Sequence, residues 1–431
     1  MNKKQPASIT REGITFLTVN QAFGLSLCLG VIWLWGIDQL MIADVWDETN
    51  GILLLTTEPL IGSSPLEALR IFWLHELPLN IYRPLGSSLF FLLAQATDGN
   101  FVILRYFNAL LLLAAIGLIT SVLFTDRNVK PWRCLAFFTL GLFSASAAIT
   151  AGWFANIFDA SCLFLIALSL RLLVSNKLMA SALCLSLAAF CKEAYVLAFP
   201  LFFFLIGQLQ NVGWRQLILP VSLVLFSSLL YWFLRHSMVP IGSPEDLHGF
   251  APEQYRSSTL SFLGGFLSQS SKFSLWDISF SLGLSALALC LISLRNQAVV
   301  LAVGSMLVMC SVVYWGMFGY RATTLMGWEI FIGRLYLVPY LIFLFFLCKY
   351  GDWRVFPVLL CFNLWGSVAT VSDYRIFQQT YAEIYKLASE TEGRLEIHFP
   401  GKPLEDPKRN LSIGNYPDSE LRIDVVNGGL L

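Results

Sequence analysis

Residues 14–35, ITFLTVNQAFGLSLCLGVIWLW, run 22 residues without a formal charge. At about 1.5 Å of rise per residue a helix of that length is roughly 30 Å long, the thickness of a bilayer's hydrocarbon core. The basic segment MNKKQPASITREG precedes it. The apolar run is too long for a secretory signal and no small-residue cleavage site stands out, so it reads as a retained first span. The chain then passes through 45 polar and semi-polar residues, Asp38 to Tyr82, that hold Asp38, Asp44, Asp47, Glu48 and Glu58. After Tyr82 the apolar spans resume and continue almost unbroken to Thr370.

Composition supports a membrane chain. Hydrophobic residues make up 56% of the 431 and charged residues 13%, too apolar a balance for a water-soluble domain of this size. The 35 Phe and 13 Trp supply rings for lipid contact and interfacial belts. A formal net charge of zero gives no electrostatic ground for nucleic-acid binding. The nine cysteines lie in or at the edges of hydrophobic spans and no CxxC occurs, which argues for apolar filler over a disulfide framework or a zinc site.

Eleven spans are expected, at about 14–36, 101–124, 132–151, 157–175, 178–191, 194–210, 215–236, 277–294, 297–318, 330–349 and 353–371. The apolar stretch 85–97 is too short to cross and reads as an interfacial or re-entrant helix. Lys3, Lys4, Arg11, Arg127, Lys130, Arg133, Arg171, Lys177, Arg215, Arg295, Lys349 and Arg354 all fall on one side of this layout, which makes that side cytoplasmic. The first loop (38–82), a second loop (237–276) and the tail (373–431) then face outward from a transmembrane domain of residues 1–372. In the tail, residues 374–389 have helical spacing, while Leu395–Phe399 and Leu421–Val425 alternate like strands between Pro and Gly punctuation. The expected architecture is all-α and polytopic, with a large first outer loop and a small α+β tail.

Asp44, Asp47 and Glu48 bring three carboxylates within five residues of each other, beside Trp46 and just past the membrane boundary. A carboxylate near low-dielectric surroundings has a raised pKa, which suits a general base acting on a hydroxyl or amine; a solvated acidic turn is the plainer alternative. Tyr82-Arg83-Pro84-Leu85 opens the next apolar run, and Arg105 lies within span two. Ionisable groups at membrane depth default to function, and Arg binds phosphate through a planar fork. Lys192-Glu193 interrupts an apolar run between two short helices, as a turn, a substrate contact or both. Arg334 opens span ten, and Arg235, Arg256, Lys272 and Arg321 also fall outward against the charge rule, so a lipid phosphate is a natural partner for some of them. The four histidines have no metal-ligand spacing.

At these residues the chain resembles the GT-C superfamily of polytopic glycosyltransferases, most of all the branch that contains protein O-mannosyltransferases and related bacterial enzymes. Four features carry the resemblance over roughly residues 35–345. The acidic loop follows the first helix directly. Tyr82-Arg83-Pro84-Leu85, then Arg105-Tyr-Phe-Asn108, is similar to the family's "YRPL … N … H" stretch. Ala189-Phe-Cys-Lys192-Glu193 is similar to "lsKE", and Gly333-Arg334-Leu-Tyr336-Leu-Val-Pro339 to "eRYlYlP". The chain departs from the pattern in three places. Asp44 and Asp47 stand where the family often has a tandem Asp pair, Gly333 replaces an acid, and no His follows Asn108.

The resemblance implies a transferase that takes a sugar from a polyprenyl-phosphate carrier in the outer leaflet and transfers it with inversion to a lipid, glycan or protein acceptor. Asp44 or Asp47 would be the base, and Arg83, Lys192 and Arg334 would hold the donor phosphate. Glu48, Tyr82, Arg105, Asn108, Glu193 and Tyr336 would be substrate contacts. No cofactor is certain, and the clustered acids leave a divalent metal, Mg or Mn, open. A bacterial inner membrane is the expected location. A transporter or flippase of lipid-linked sugars would instead bury charges mid-span within inverted repeats, and no repeat is visible. An O-antigen ligase or polymerase usually carries its large loop late in the chain. A scaffold would have no reason to gather acids and cations on one face.

Overall fold

The computed structural model describes residues 18–38, 64–74, 82–97, 101–152, 156–209, 212–238, 262–269, 278–294, 296–310, 333–370, 394–398 and 422–426. Its helices are α1 (Val19–Asp38), α2 (Pro65–Leu74), α3 (Pro84–Ala96), α4 (Phe101–Phe124), α5 (Pro131–Leu142), α6 (Ala145–Gly152), α7 (Ile157–Val174) and α8 (Leu178–Cys191). After a 3-10 turn at Glu193–Ala198 come α9 (Phe199–Gly207), α10 (Trp214–Met238), α11 (Ile278–Ser293), α12 (Gln297–Met309), a second 3-10 turn at Gly333–Tyr336, α13 (Leu337–Tyr350) and α14 (356–370). Proline begins α2, α3 and α5, where its missing N–H is one a helix start leaves unbonded anyway and its φ is already helical.

Among the described residues, four helices are long and apolar enough to cross a membrane: α1, α4, α7 and α10. A fifth crossing is formed if α5 and α6, which meet at 52°, count as one broken span. Several shorter apolar helices accompany them, α3, α8 and α13 included. The chain is therefore a helical, multi-pass membrane protein by length and composition of its helices.

The expected straight span at 132–151 is bent, and the bend has a local cause. Ser144 interrupts the ladder: its hydroxyl donates to the Gly141 carbonyl at 2.9 Å and accepts from the Ala147 N–H at 3.1 Å, so it caps α6. The carbonyls the bend releases are met from α14, where the Asn363 amide donates to Leu140 O at 3.0 Å and the Ser367 hydroxyl to Phe143 O at 2.9 Å. Without water to bond them, such groups need a protein donor.

The bundle is apolar on both sides. Every residue from Leu337 to Cys348 of α13 is buried, so this helix runs through the middle. By contrast α1 exposes Phe23, Val31 and Trp35, and α10 exposes Phe226, Leu229 and Phe233, the faces that lipid would cover. Interior contacts use small polar residues that let backbones close in. Ser169 and Ser181 each donate to the other's carbonyl at 2.8 Å between α7 and α8, and Ser227 donates to Ser186 at 2.8 Å between α10 and α8.

Two segments expected to be outer loop are structured. Within the first loop, α2 carries the helical triplet Ala68, Ile71 and Phe72 on its buried face; Phe72 meets Phe91 of α3 and Trp73 meets Phe190 of α8. Within 237–276, residues 262 and 264–269 are buried rather than solvent-facing. Phe262 stacks on Tyr336 at 4.9 Å, and the Gln269 side chain accepts from the Ser146 N–H at 2.9 Å. This segment lies so close to α14 that a Cβ on Gly366 would fall 1.7 Å from the Ser268 carbonyl. In the tail, Arg394–His398 (β1) pairs antiparallel with Arg422–Val426 (β2), Ile397 opposite Ile423. The second of these strands begins one residue later than the alternation at 421–425 suggests.

One end of α4 gathers a charged group on residues flanking the helix. Asp126 bonds Lys349 at 3.0 Å, and Arg133 donates to the Cys348 carbonyl at 3.1 Å. Burial alone would raise the Asp126 carboxyl, but the Asn128 N–H and the Lys349 ammonium outweigh it and hold it below the ordinary carboxylate range. Its contribution to stability is thus present above the unfolded value of about 4 and is lost as pH falls through the lower folded value. Asp126→Asn should remove that dependence, checked by thermal unfolding in detergent across acid pH. In the same assay Gly366→Ala should lower stability by about 1–3 kcal/mol, since the displaced neighbour is a backbone carbonyl.

Candidate functional site

The other end of the bundle, where α3, α4 and α7 begin and α8 and α10 finish, holds a cluster of buried charges. It starts from local backbone rules. Arg83 precedes a proline and is held out of the helical region, at φ −141° and ψ 64°, so it sits ahead of α3 as its cap residue. Lys192 ends α8 in an extended conformation, at φ −164° and ψ 146°. Successive side chains of an extended segment point to opposite sides, and Lys192 and Glu193 accordingly part company. Each finds an ion partner elsewhere in the sequence, Asp159 for Lys192 and Arg83 for Glu193.

Glu193 is bonded by Arg83 through two N–H groups, Nε to Oε2 at 3.1 Å and a terminal nitrogen to Oε1 at 2.6 Å. The fork geometry makes this among the stronger forms of ion pair. Their side chains are only 15% and 7% exposed. Arg83 is thus drawn inward and does not snorkel to an interface. Arg235, near the end of α10, approaches the same carboxylate at 3.7 Å and donates to the Tyr231 hydroxyl at 3.4 Å. Lys192 binds Asp159 in the first turn of α7 and is almost wholly buried. An acid in that position also meets the positive end of the helix dipole.

Aromatic rings wall the cluster. The Arg83 guanidinium lies over the Phe158 ring at 5.6 Å and that of Arg235 over Trp232 at 5.8 Å. Tyr231 is fully buried and its hydroxyl donates to the Tyr82 carbonyl at 3.3 Å, which ties α10 to the residue before Arg83. Gly86, three residues beyond Arg83, lets α3 come down onto α7 and α8. A Cβ there would lie 2.3 Å from the Phe158 ring and 3.1 Å from the Cys191 carbonyl.

The structure thus brings together Tyr82, Arg83, Lys192 and Glu193 of the residues singled out in the sequence. Arg235, one of the outward cations of the sequence, joins them, and Asp159 is added as an ion partner. Asp159 has a signal in the sequence, as the lone carboxylate at the start of the apolar run 157–174. Arg105 and Asn108 are wholly buried on one face of α4, three residues apart. Leu104 beside them packs with Ile157 and Phe158, which sets this part of α4 at the cluster's end of the bundle. Tyr336 is buried elsewhere, against Phe262 and Phe266. Arg334 belongs to the 3-10 turn Gly333–Tyr336. Asp44, Asp47 and Glu48, the candidate base and its neighbours, lie outside the described residues. So does the acid set on which a divalent metal would depend; among the described residues no group of three His, Cys, Asp or Glu is placed to hold one.

No protein-family model, curated protein or solved structure matches this chain.

The ion pairs make a direct test of how the site is held. Lys192→Met strands a buried carboxylate and should lower stability by about 3–5 kcal/mol, while Lys192→Met with Asp159→Leu should regain most of the loss. Thermal unfolding of the purified single and double variants checks both values.

Proposed function

We propose that this chain is a GT-C-type membrane glycosyltransferase. It would transfer a sugar from a polyprenyl-phosphate carrier to a lipid, glycan or protein acceptor on the extracytoplasmic side, by direct displacement with inversion. The observation that carries this reading is the cluster of Arg83, Lys192, Arg235, Glu193 and Asp159, buried at the ends of apolar helices and assembled from segments more than a hundred residues apart. Charges at such a boundary are costly to place and mark ligand or reaction sites. Three cations, Arg83, Lys192 and Arg235, converge there, an arrangement that suits an anionic leaving group. Cations fixed beforehand around a departing phosphate stabilise the charge that develops on it. With phosphate leaving, no general acid is needed, so one carboxylate suffices as base. Asp44 or Asp47 is assigned that part, with Arg334 joining Arg83 and Lys192 around the phosphate.

The eleven-span layout belongs to the same proposal. The Asp126–Lys349 end and the Arg83–Glu193 end lie at opposite ends of α4, whose 24 residues span about 36 Å. That length crosses a hydrocarbon core of about 30 Å and reaches its polar boundaries. The first end would be cytoplasmic, the second would face the periplasm or exterior, and the membrane would be a bacterial inner membrane.

Sugar transfer by purified protein from polyprenyl-phosphate sugars into a membrane extract tests the proposal. Wild type should transfer, and either Asp44→Asn or Asp47→Asn should lose at least about 100-fold in rate while keeping donor binding. Full activity in both variants would remove the first-loop base. Movement of the donor across vesicles without any transfer would replace the enzyme with a transporter.

A further inference from the structure

We propose that Arg235 is the residue through which this cluster grips the phosphate of a lipid, with Glu193 as the positioning residue that holds it beside Arg83. The inference deepens the transferase reading and rests on it. Lys192 is committed to Asp159, and Arg83 has two of its N–H groups on Glu193. Arg235 is the loosest of the three cations. It comes no closer to the carboxylate than 3.7 Å, and its side chain is 26% exposed against 15% for Arg83 and 2% for Lys192. Arg235 is therefore the cation of the three that an anion can reach.

Its place on α10 indicates what that anion is attached to. Val224, Ser227 and Tyr231 form the stripe of α10 that faces inward, and Arg235 continues it by one turn, at the rim. The neighbouring face, Leu225, Phe226, Leu229, Trp232 and Phe233, is exposed and apolar for more than two turns below it. A hydrocarbon tail lying along that face delivers its headgroup to the guanidinium. Trp232 covers the flat face of Arg235 and leaves the N–H edge for phosphate oxygens. Glu193 lets the two guanidiniums stay close, because one carboxylate between them offsets their repulsion. The ligand class is a phosphate-bearing lipid with a long apolar tail, supplied either as a polyprenyl phosphate or as bulk phospholipid.

The test is lipid binding by the full-length protein, read by native mass spectrometry, with decaprenyl phosphate, phosphatidylglycerol and inorganic phosphate as probes. Wild type should bind decaprenyl phosphate, and inorganic phosphate far more weakly because it lacks the tail. Arg235→Gln should weaken lipid binding by about tenfold or more. Arg235→Lys should recover part of it, and Arg354→Gln, an exposed cation outside the cluster, should bind as wild type. Unchanged binding by Arg235→Gln, or no binding of either lipid by wild type, overturns the inference. Arg235-dependent binding of both lipids with equal affinity supports the lipid-phosphate site and counts against the transferase reading. Wild-type sugar transfer that Arg235→Gln does not slow leaves the transferase standing and overturns the role of Arg235.

Discussion

A single carboxylate shared by two guanidiniums, shut among apolar helix ends, is the constraint on which this end of the molecule depends. Glu193 away from water would be prohibitive alone, and so would Arg83. Their pairing forces the start of α3 onto the end of α8, and the approach of Arg235 draws in the end of α10. The rest of the local geometry serves that convergence. Lys192 takes an extended backbone so that it and Glu193 can serve different partners. Gly86 removes the Cβ that would hold the helices apart. Tyr231 closes the seam by bonding the carbonyl of Tyr82.

The same scarcity of water explains the polar details of the bundle. Burying apolar surface does not bring helices together in lipid as it does in water, so close packing and interhelical hydrogen bonds carry more of the association. The reciprocal serine pair between α7 and α8 and the serine contact between α10 and α8 lie on the helices that frame the charge cluster. The bend between α5 and α6 is tolerated because Asn363 and Ser367 meet the carbonyls it frees. The buried turn at 262–269 is likewise held by the backbone of α6 and by the glycine of α14.

For an anionic lipid these two constraints act together. Two cations are fixed internally, so they shape the site without presenting a full positive charge. The third sits at the rim with an apolar face leading to it. In the proposed lipid site, charge would select the headgroup and the helix surface the tail, and neither alone would discriminate a lipid phosphate from a soluble one. α2 packs beside the same site, since Trp73 rests on Phe190, one residue from the end of α8.

Hydropathy by itself determined the class: a helical chain with several membrane-crossing segments, because span length and apolar composition are properties of a segment alone. It also marked Arg83, Lys192 and Glu193, since a charge in an apolar run is conspicuous without any knowledge of its neighbours. It did not separate Lys192 from Glu193. Adjacency suggested one pair, whereas the backbone angle at Lys192 sends them to Asp159 and Arg83. The bend after Leu142, the helix at 65–74 and the burial of 262–269 were likewise not legible. Each depends on a donor, a ring or a glycine contributed by a segment distant in the chain. Which charges meet, and which one stays the most exposed, only the tertiary structure decided, because ion pairing depends on distance through space and the apolar periodicity that places the helices is silent about it.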